Sequence, residues 1–491
     1  MNLKYIIKNL KIKKISGQID LEIEDIVYDS KKAVEKTLFT ALIGMTSDGH
    51  KYIENAYSSG ARVFVISREE FLQEKENVEI IQNSTFILVE DTRVALATMS
   101  AEFFGHPSKE LTIVGITGTK GKTTVSGYIK SVLDNSDISC GVIGTNGIYF
   151  ANQYFKTVNT TPESYEIQKY MKKMVDNGVK VLAMEVSSGG IMMNRVHGIE
   201  FDYAIFTNLS HDHIGEKEHP TFEHYRECKS MLFAMSKYSI INIDDENSKV
   251  MIEKSKDYKT YSIDSSSDFQ AKDIIYPSNI SDMRTYFEVN EKKYVVNSFG
   301  KFGVYNALCT IMLCEQLGLS YQSIYTGLEK AHVKGRLQVI DGFTDIKVII
   351  DYAHNEVSLE NVLQTVKELK PKRLIVLFGS VGTRSQNRRE ELATVASKYC
   401  DVIIVTSDNP DTENPQKIID EIVSHISQDK KKYTYCYADR AVAIQKAIEM
   451  SQKGDVIVLA GKGHEEYQLI NGVREHFSDE EEVKKYIFPK S

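Results

Sequence analysis

The stretch GITGTKGKTT, Gly115 to Thr124, closes an apolar run, Leu111–Thr117, and opens a helical pattern. Glycines at 115, 118 and 121 let the backbone turn tightly, so that successive N–H groups face one point. A helix N-terminus there adds positive potential, Lys122 brings a cation, and Thr123 offers a hydroxyl to Mg²⁺. Such a strand–loop–helix holds phosphate. The common spacing asks for glycine at 116; Ile116 stands there, with Gly118 added, so the loop is a variant form.

Similar apolar runs recur on both sides of the loop. Val181–Val186, Tyr203–Thr207 and Ser239–Ile243 follow it, and Lys347–Asp351, Leu374–Gly379, Val402–Thr406 and Asp455–Ala460 come later. Longer helical patterns separate them, which is how βαβ units read. Runs this apolar suit parallel strands buried on both faces, and ligands then gather at their carboxyl ends. The fold class expected is α/β with mainly parallel sheets. Gly and Pro in Phe103–Glu110 and the turn at Ala331–Arg336 mark two boundaries, giving domains of about 1–108, 109–335 and 336–491.

The 491 residues agree with that number at ~150 residues per domain. A 42% apolar and 26% charged content excludes wholesale disorder. A net charge of −8 argues against a nucleic-acid partner. Six scattered cysteines without a C-x-x-C pair fit reduced thiols in a cytoplasm. No run reaches the ~20 apolar residues of a membrane span. The opening MNLKYIIKNLKIKKIS has no signal-peptide pattern and reads as an amphipathic surface helix. The charged runs Asp429–Lys432 and Asp479–Glu482 read as solvated helix ends. A cytoplasmic monomer without membrane contact is expected.

The loop G-x-x-G-T-x-G-K-T-T resembles that of the Mur ligases, the ATP-dependent amide-forming enzymes of peptidoglycan synthesis. Further motifs follow in the family's order: Asp29-Ser30-Lys31, Asn159-Thr160-Thr161-Pro162-Glu163, Met184-Glu185-Val186-Ser187-Ser188 and Arg195-Val196-His197-Gly198. Thr207-Asn208-Leu209, Asp212-His213, Lys229, Asp351-Tyr352-Ala353-His354, Asp408-Asn409-Pro410 and Gly461-Lys462-Gly463-His464-Glu465 complete the series. The likeness spans nearly the whole chain and is greatest to members that add the third residue of the stem peptide.

The resemblance implies a UDP-binding first domain, a central P-loop ATPase domain and a Rossmann-like last domain. It implies that ATP phosphorylates the D-Glu γ-carboxylate of UDP-N-acetylmuramoyl-L-alanyl-D-glutamate, and that an incoming amine attacks the acyl phosphate. ATP would lie on Thr117, Gly118, Thr119, Lys120, Gly121, Lys122 and Thr123, with Asn306, Arg336 and Asp351 completing its contacts. Ser30, Asn159, Thr160, Thr161, Ser187 and Arg195 would hold the UDP-muramoyl-dipeptide. Two Mg²⁺ ions would be held by Thr123, Glu185, His213 and Lys229, the lysine as a CO₂-derived carbamate. Lys122, Glu185, His213 and Lys229 are thus the expected catalytic set. Taken alone, Glu185 also reads as a helix-capping carboxylate, while an Asp-His pair such as Asp212-His213 is more often a surface loop and a lysine such as Lys229 more often an exposed helix residue.

Members of the group that use meso-diaminopimelate carry D-N-P-R, whose arginine pairs with the distal carboxylate. Here the motif ends in Asp411, which disfavours a second carboxylate and favours a distal ammonium. L-lysine or a similar diamine is expected, held by Asp408, Asn409, Asp411, the Gly461 carbonyl and Glu465. Three further departures stand out: Gly189-Gly190 in place of H-G, Met193 at a substrate-contacting glutamine position, and Leu337-Gln338 where G-R-M-E is usual. Three other readings compete: the same ligase using meso-diaminopimelate, the same fold in a folylpolyglutamate synthase, whose loop typically reads G-T-N-G-K-G-S, and a non-catalytic sugar-nucleotide sensor.

Overall fold

The computed structural model describes residues 1–491 except 45–46, 212–214, 216–218, 278–279, 281, 384–385 and 488–491. All eight apolar runs fold as strands, with ends within three residues of those expected: Thr112–Thr117, Val181–Glu185, Phe201–Phe206, Ser236–Asn242, Lys347–Asp351, Leu374–Phe378, Val402–Thr406 and Val456–Ala460. The class is α/β. Two compact units result, Met1–Gln270 with Cys309–Ser320, and Ala271–Leu308 with Tyr321–Ser491.

The first unit holds two sheets. The smaller runs in the order Ile12–Ser16, Thr85–Val89, Val63–Ile66, Thr37–Thr40, Asp25–Val27, all parallel except the first pair. The larger has nine strands, with Thr112–Thr117 between Phe201–Phe206 and Val181–Glu185. Its strands are parallel from Phe269–Gln270 through Cys140–Gly144 and end in two antiparallel hairpin pairs. The phosphate loop therefore leaves a central strand whose residues Ile113–Thr117 are buried throughout.

In the second unit, a six-stranded sheet runs Gln338–Ile340, Lys347–Asp351, Val456–Ala460, Leu374–Phe378, Val402–Thr406, Thr434–Tyr437, parallel apart from its first pair. Its strands divide with period two. Ile349, Val376, Ile403 and Val458 pack with Leu359, Leu363, Leu392 and Ile419 from helices on one face. Val348, Ile350, Ile375, Ile404 and Ile457 pack with Ala443, Ile444 and Val483 on the other. Covering both faces is why the runs carry no polar alternation. A three-stranded antiparallel sheet, Lys272–Val296, and the hairpin Tyr467–His476 complete the unit.

Two expectations are corrected. The first sixteen residues do not form a surface helix: only Leu3–Ile6 is helical, Leu3 and Ile6 are fully buried, and Ile12–Ser16 is an edge strand. The Ile-Lys-Lys-Ile run pairs antiparallel with Thr85–Val89, and that tertiary pairing overrides the helical pattern. Asp479 does begin a helix, but it is buried, and both its oxygens accept from the buried Arg440 guanidinium at 2.7 Å. No helix among the described residues is long and apolar enough to cross a membrane.

Candidate active site

Thr112–Thr117 delivers the chain into the loop, and the helix Lys122–Asp134 begins at Gly121, whose φ of +90° only glycine adopts without strain. Gly118 (φ +147°) is equally constrained, because a Cβ there would lie 2.0 Å from Thr207 Oγ1. Residues at the ends of the neighbouring strands hold the loop in shape. Thr119 N–H donates to the Asn208 carbonyl at 2.8 Å, Lys120 N–H to Asn208 Oδ1 at 3.0 Å, and Asn208 Nδ2 back to the Lys120 carbonyl at 3.1 Å. Thr207 Oγ1 donates to the Lys120 carbonyl at 2.7 Å, and Thr117 Oγ1 to that of Val186 at 2.8 Å.

Two ammonium groups converge on one loop carbonyl. Lys122 Nζ donates to Gly118 O at 2.7 Å and Thr119 O at 3.1 Å, and Lys229 Nζ donates to Gly118 O at 2.9 Å. Lys229 is 2% exposed and stands 4.7 Å from the Tyr225 ring centre. It is not the exposed helix lysine that its local pattern allows. The helix Phe222–Ala234 carries it inward one turn after Tyr225, whose hydroxyl lies 3.2 Å from Thr119 Oγ1.

Glu185, at the carboxyl end of Val181–Glu185, is 1% exposed. Its Oε2 accepts from Thr123 Oγ1 at 3.1 Å and Thr145 Oγ1 at 2.9 Å, and its Oε1 from Thr145 N–H at 3.1 Å. Gly144 makes room for that carboxylate, since a Cβ there would fall 2.2 Å from Glu185 Oε1. The hydroxyl chain extends outward from it. Thr160 Oγ1 lies 3.0 Å from Thr145 Oγ1, Thr161 Oγ1 donates to the Glu185 carbonyl at 2.9 Å, and Ser187 N–H donates to Thr161 Oγ1 at 2.9 Å.

Arg195 Nη1 donates to the Thr161 carbonyl at 3.0 Å, and its Nε to Glu163 Oε1 at 3.0 Å. The other Glu163 oxygen accepts from Arg93 Nη1 at 3.0 Å. Asn159 is exposed beside this chain of hydroxyls. Ser30 starts a 3₁₀ turn capped by Asp29 and makes none of these contacts. His213 lies outside the described residues.

In the second unit the expected residues meet at strand carboxyl ends. Asp351 accepts from Leu337 N–H at 2.7 Å and Ala353 N–H at 2.9 Å, and its carbonyl accepts from Gly461 N–H at 3.1 Å. The Arg336 guanidinium lies 4.8 Å from the Tyr352 ring centre. Lys462, fully buried, donates to Asn409 Oδ1 at 3.0 Å and Glu465 Oε2 at 3.2 Å, with Asp408 Oδ1 at 3.4 Å. Asp411 has a left-handed backbone (φ +52°), and its Oδ1 accepts from Gly472 N–H at 2.9 Å, tying it to the hairpin. Asn306 is buried on the helix Lys301–Gln316.

Sequence reasoning missed Thr145, Tyr225 and Arg93, and quoted Lys462 within a motif without giving it a role. Of the three missed, Thr145 carried a signal, standing after the glycine at the end of an apolar run, as Thr119 follows Gly118.

A glycine loop at a helix start, with a strand-end carboxylate on its threonine and a buried lysine on its carbonyl, defines phosphate-handling machinery of the P-loop class. Family models agree: the Mur ligase family catalytic domain matches residues 22–104, the Mur ligase middle domain 116–314, and the Mur ligase glutamate ligase domain 335–463. The chain belongs to the Mur ligase family.

It is 39% identical, over 99% of both chains, to UDP-N-acetylmuramoyl-L-alanyl-D-glutamate–2,6-diaminopimelate ligase 1 of Clostridium acetobutylicum. The ligase of the same name, without the number, from Caldanaerobacter subterraneus is also 39% identical, over the full length of both. A solved structure of a UDP-N-acetylmuramoyl-L-alanyl-D-glutamate–2,6-diaminopimelate ligase matches with a TM-score of 0.67 at 28% identity, covering 99% of this chain and 98% of that one.

Proposed function

We propose that the chain joins a third amino acid to UDP-N-acetylmuramoyl-L-alanyl-D-glutamate at the expense of ATP, in a cytoplasm and as a monomer. The observation that carries the reading is the placement of Lys122, Lys229, Thr123 and Glu185 around one glycine loop. Residues 1–108 receive the UDP moiety through Ser30, residues 109–335 bind ATP and the dipeptide, and residues 336–491 receive the amino acid.

The loop amides and Lys122 hold and neutralise the phosphates. The Thr123 hydroxyl and Glu185 carboxylate are hard oxygen donors in a cradle that Gly144 leaves open, and this set fits Mg²⁺. Mg²⁺ bound there supplies a Lewis acid against phosphate oxygens. Lys229, as a neutral amine, would add to CO₂ to give a carbamate and release a proton, and together with His213 would hold a second ion. Thr160, Thr161, Ser187 and Arg195 orient the D-Glu γ-carboxylate toward the γ-phosphoryl group. The carboxylate oxygen takes the phosphoryl group and ADP leaves. The amine of the incoming amino acid then attacks the acyl carbon and expels phosphate. Asn306, Arg336 and Asp351 complete the nucleotide contacts when substrate is bound.

L-lysine is the amino acid best suited to Asp411, because an anion replaces the arginine fork that a second carboxylate needs. A second reading, meso-diaminopimelate, is favoured by the names of the relatives at 39% identity. The test is incubation with ATP, Mg²⁺, UDP-muramoyl-dipeptide and equal amounts of lysine, ornithine and diaminopimelate. The expected product has the mass of the lysine adduct. A diaminopimelate adduct in large excess overturns the lysine assignment, and no adduct with any of the three overturns the ligase reading.

A further inference from the structure

A second cluster of ligating side chains lies on the helix that carries Lys229. Thr221 caps Phe222–Ala234 by accepting from His224 N–H, and His224 and Cys228, four residues apart, share one helix face. His219 approaches that face from the segment before the cap. One imidazole nitrogen from each histidine and the Cys228 sulfur lie within 4.8 Å of one another.

The geometry inside the cluster is specific. His219 Nδ1 faces His224 Nδ1 at 2.9 Å, and Cys228 Sγ lies 3.9 Å from the same His224 nitrogen. His219 is 2% exposed, and its other nitrogen, Nε2, lies 2.8 Å from Ser188 Oγ. That outer hydrogen bond fixes the ring and aims Nδ1 at the other two ligands, as the outer partners of metal-bound imidazoles do.

Two imidazoles and a thiolate select a thiophilic cation over Mg²⁺. Zinc–nitrogen bonds of about 2.1 Å and zinc–sulfur bonds of about 2.3 Å let one ion span a nitrogen and a sulfur up to about 4.4 Å apart. The cluster needs only a small side-chain rotation to close around it. Three protein ligands leave the fourth tetrahedral position to water.

We propose that His219, His224 and Cys228 form a Zn²⁺ site separate from the oxygen donors Thr123 and Glu185. Through Ser188 it links the start of the helix Ser188–Met192 to the helix carrying Lys229. Occupancy is read directly and does not depend on the ligase assignment.

The test uses the full chain after chelator treatment and removal of the chelator. Added Zn²⁺ is expected to slow iodoacetamide alkylation of Cys228, followed by peptide mass, by about 10-fold or more. Exposed Cys436 keeps its rate and serves as the internal control, and Mg²⁺ protects neither thiol. Co²⁺ is expected to give a thiolate-to-metal absorption band that Cys228→Ser removes. In His224→Ala, at an exposed position, Zn²⁺ protection is expected to be lost while circular dichroism is unchanged. Equal protection in His224→Ala, or no Zn²⁺ protection and no Co²⁺ band in the unmodified chain, overturns the proposal.

Discussion

Lys229 Nζ and Lys122 Nζ both donate to the carbonyl of Gly118, at 2.9 and 2.7 Å, although 107 residues separate the two lysines in the chain. Carbamylation of Lys229 would remove one of these two cations, leaving Lys122 to neutralise phosphate and turning the side chain at 229 into an oxygen donor for a metal ion. Lys229→Ala is expected to lower turnover by about 10²-fold or more. Formate or acetate, standing in for the carbamate oxygens, is expected to restore part of the rate in that variant and none in Lys122→Ala. Phosphate release, with circular dichroism to show an intact fold, is the measurement.

Gly118→Ala tests the loop itself. A methyl group would meet Thr207 Oγ1 at 2.0 Å and the Asn208 carbonyl at 2.9 Å, on a backbone of φ +147°. Nucleotide affinity, measured by titration calorimetry, is expected to fall by about 10-fold or more, given a backbone strain of ~1–3 kcal/mol. Removing the Thr207 side chain as well is not expected to restore it, because the Asn208 backbone contact and the φ remain.

Much of this arrangement could be read from residue order. The eight apolar runs needed no more than burial on both faces to declare themselves, and the glycines of 115–121 marked a tight loop between strand and helix. Partner choice could not be read so. Glu163 shares its two oxygens between Arg93 and Arg195, 70 and 32 residues away, and nothing local to any of them encodes the pairing. Lys462 sits in a surface-like Gly-Lys-Gly-His-Glu run yet is fully buried, because Asp408 and Glu465 neutralise it and Asn409 Oδ1 accepts from it at the sheet end. The burial of Lys229 was expected only from the family's pattern.

Glu166 offers a test by pH. Burial is the main cause raising its carboxyl above the ordinary 4.5, against a hydrogen bond from Tyr28 that lowers it. Its Oε2 is buried with no hydrogen-bond partner among the described residues. A raised value means that the folded chain holds the proton more tightly than the unfolded chain. Stability from this group therefore falls as pH rises from the unfolded value through the folded one. Glu166→Gln is expected to raise Tm at pH 7 and to leave it nearly unchanged at pH 4, checked by calorimetry at both.

The buried pair Arg440–Asp479 should behave unlike a surface bridge. Arg440→Ala strands a carboxylate that is 1% exposed, and a loss of about 3–5 kcal/mol is expected in urea denaturation. Replacing both members, as Arg440→Met with Asp479→Leu, is expected to cost much less than the single change, since no buried charge remains.

The close approach of the Glu185 carboxylate to Gly144 has a practical corollary. A single added methyl at that residue would evict the Glu185 carboxylate, while the glycines at 118 and 121 stay untouched. Gly144→Ala is thus the smallest lesion that should silence the chemistry yet spare recognition of the nucleotide. It would make a competent but inert decoy, able to capture its natural reactants and hold them side by side for crystallography.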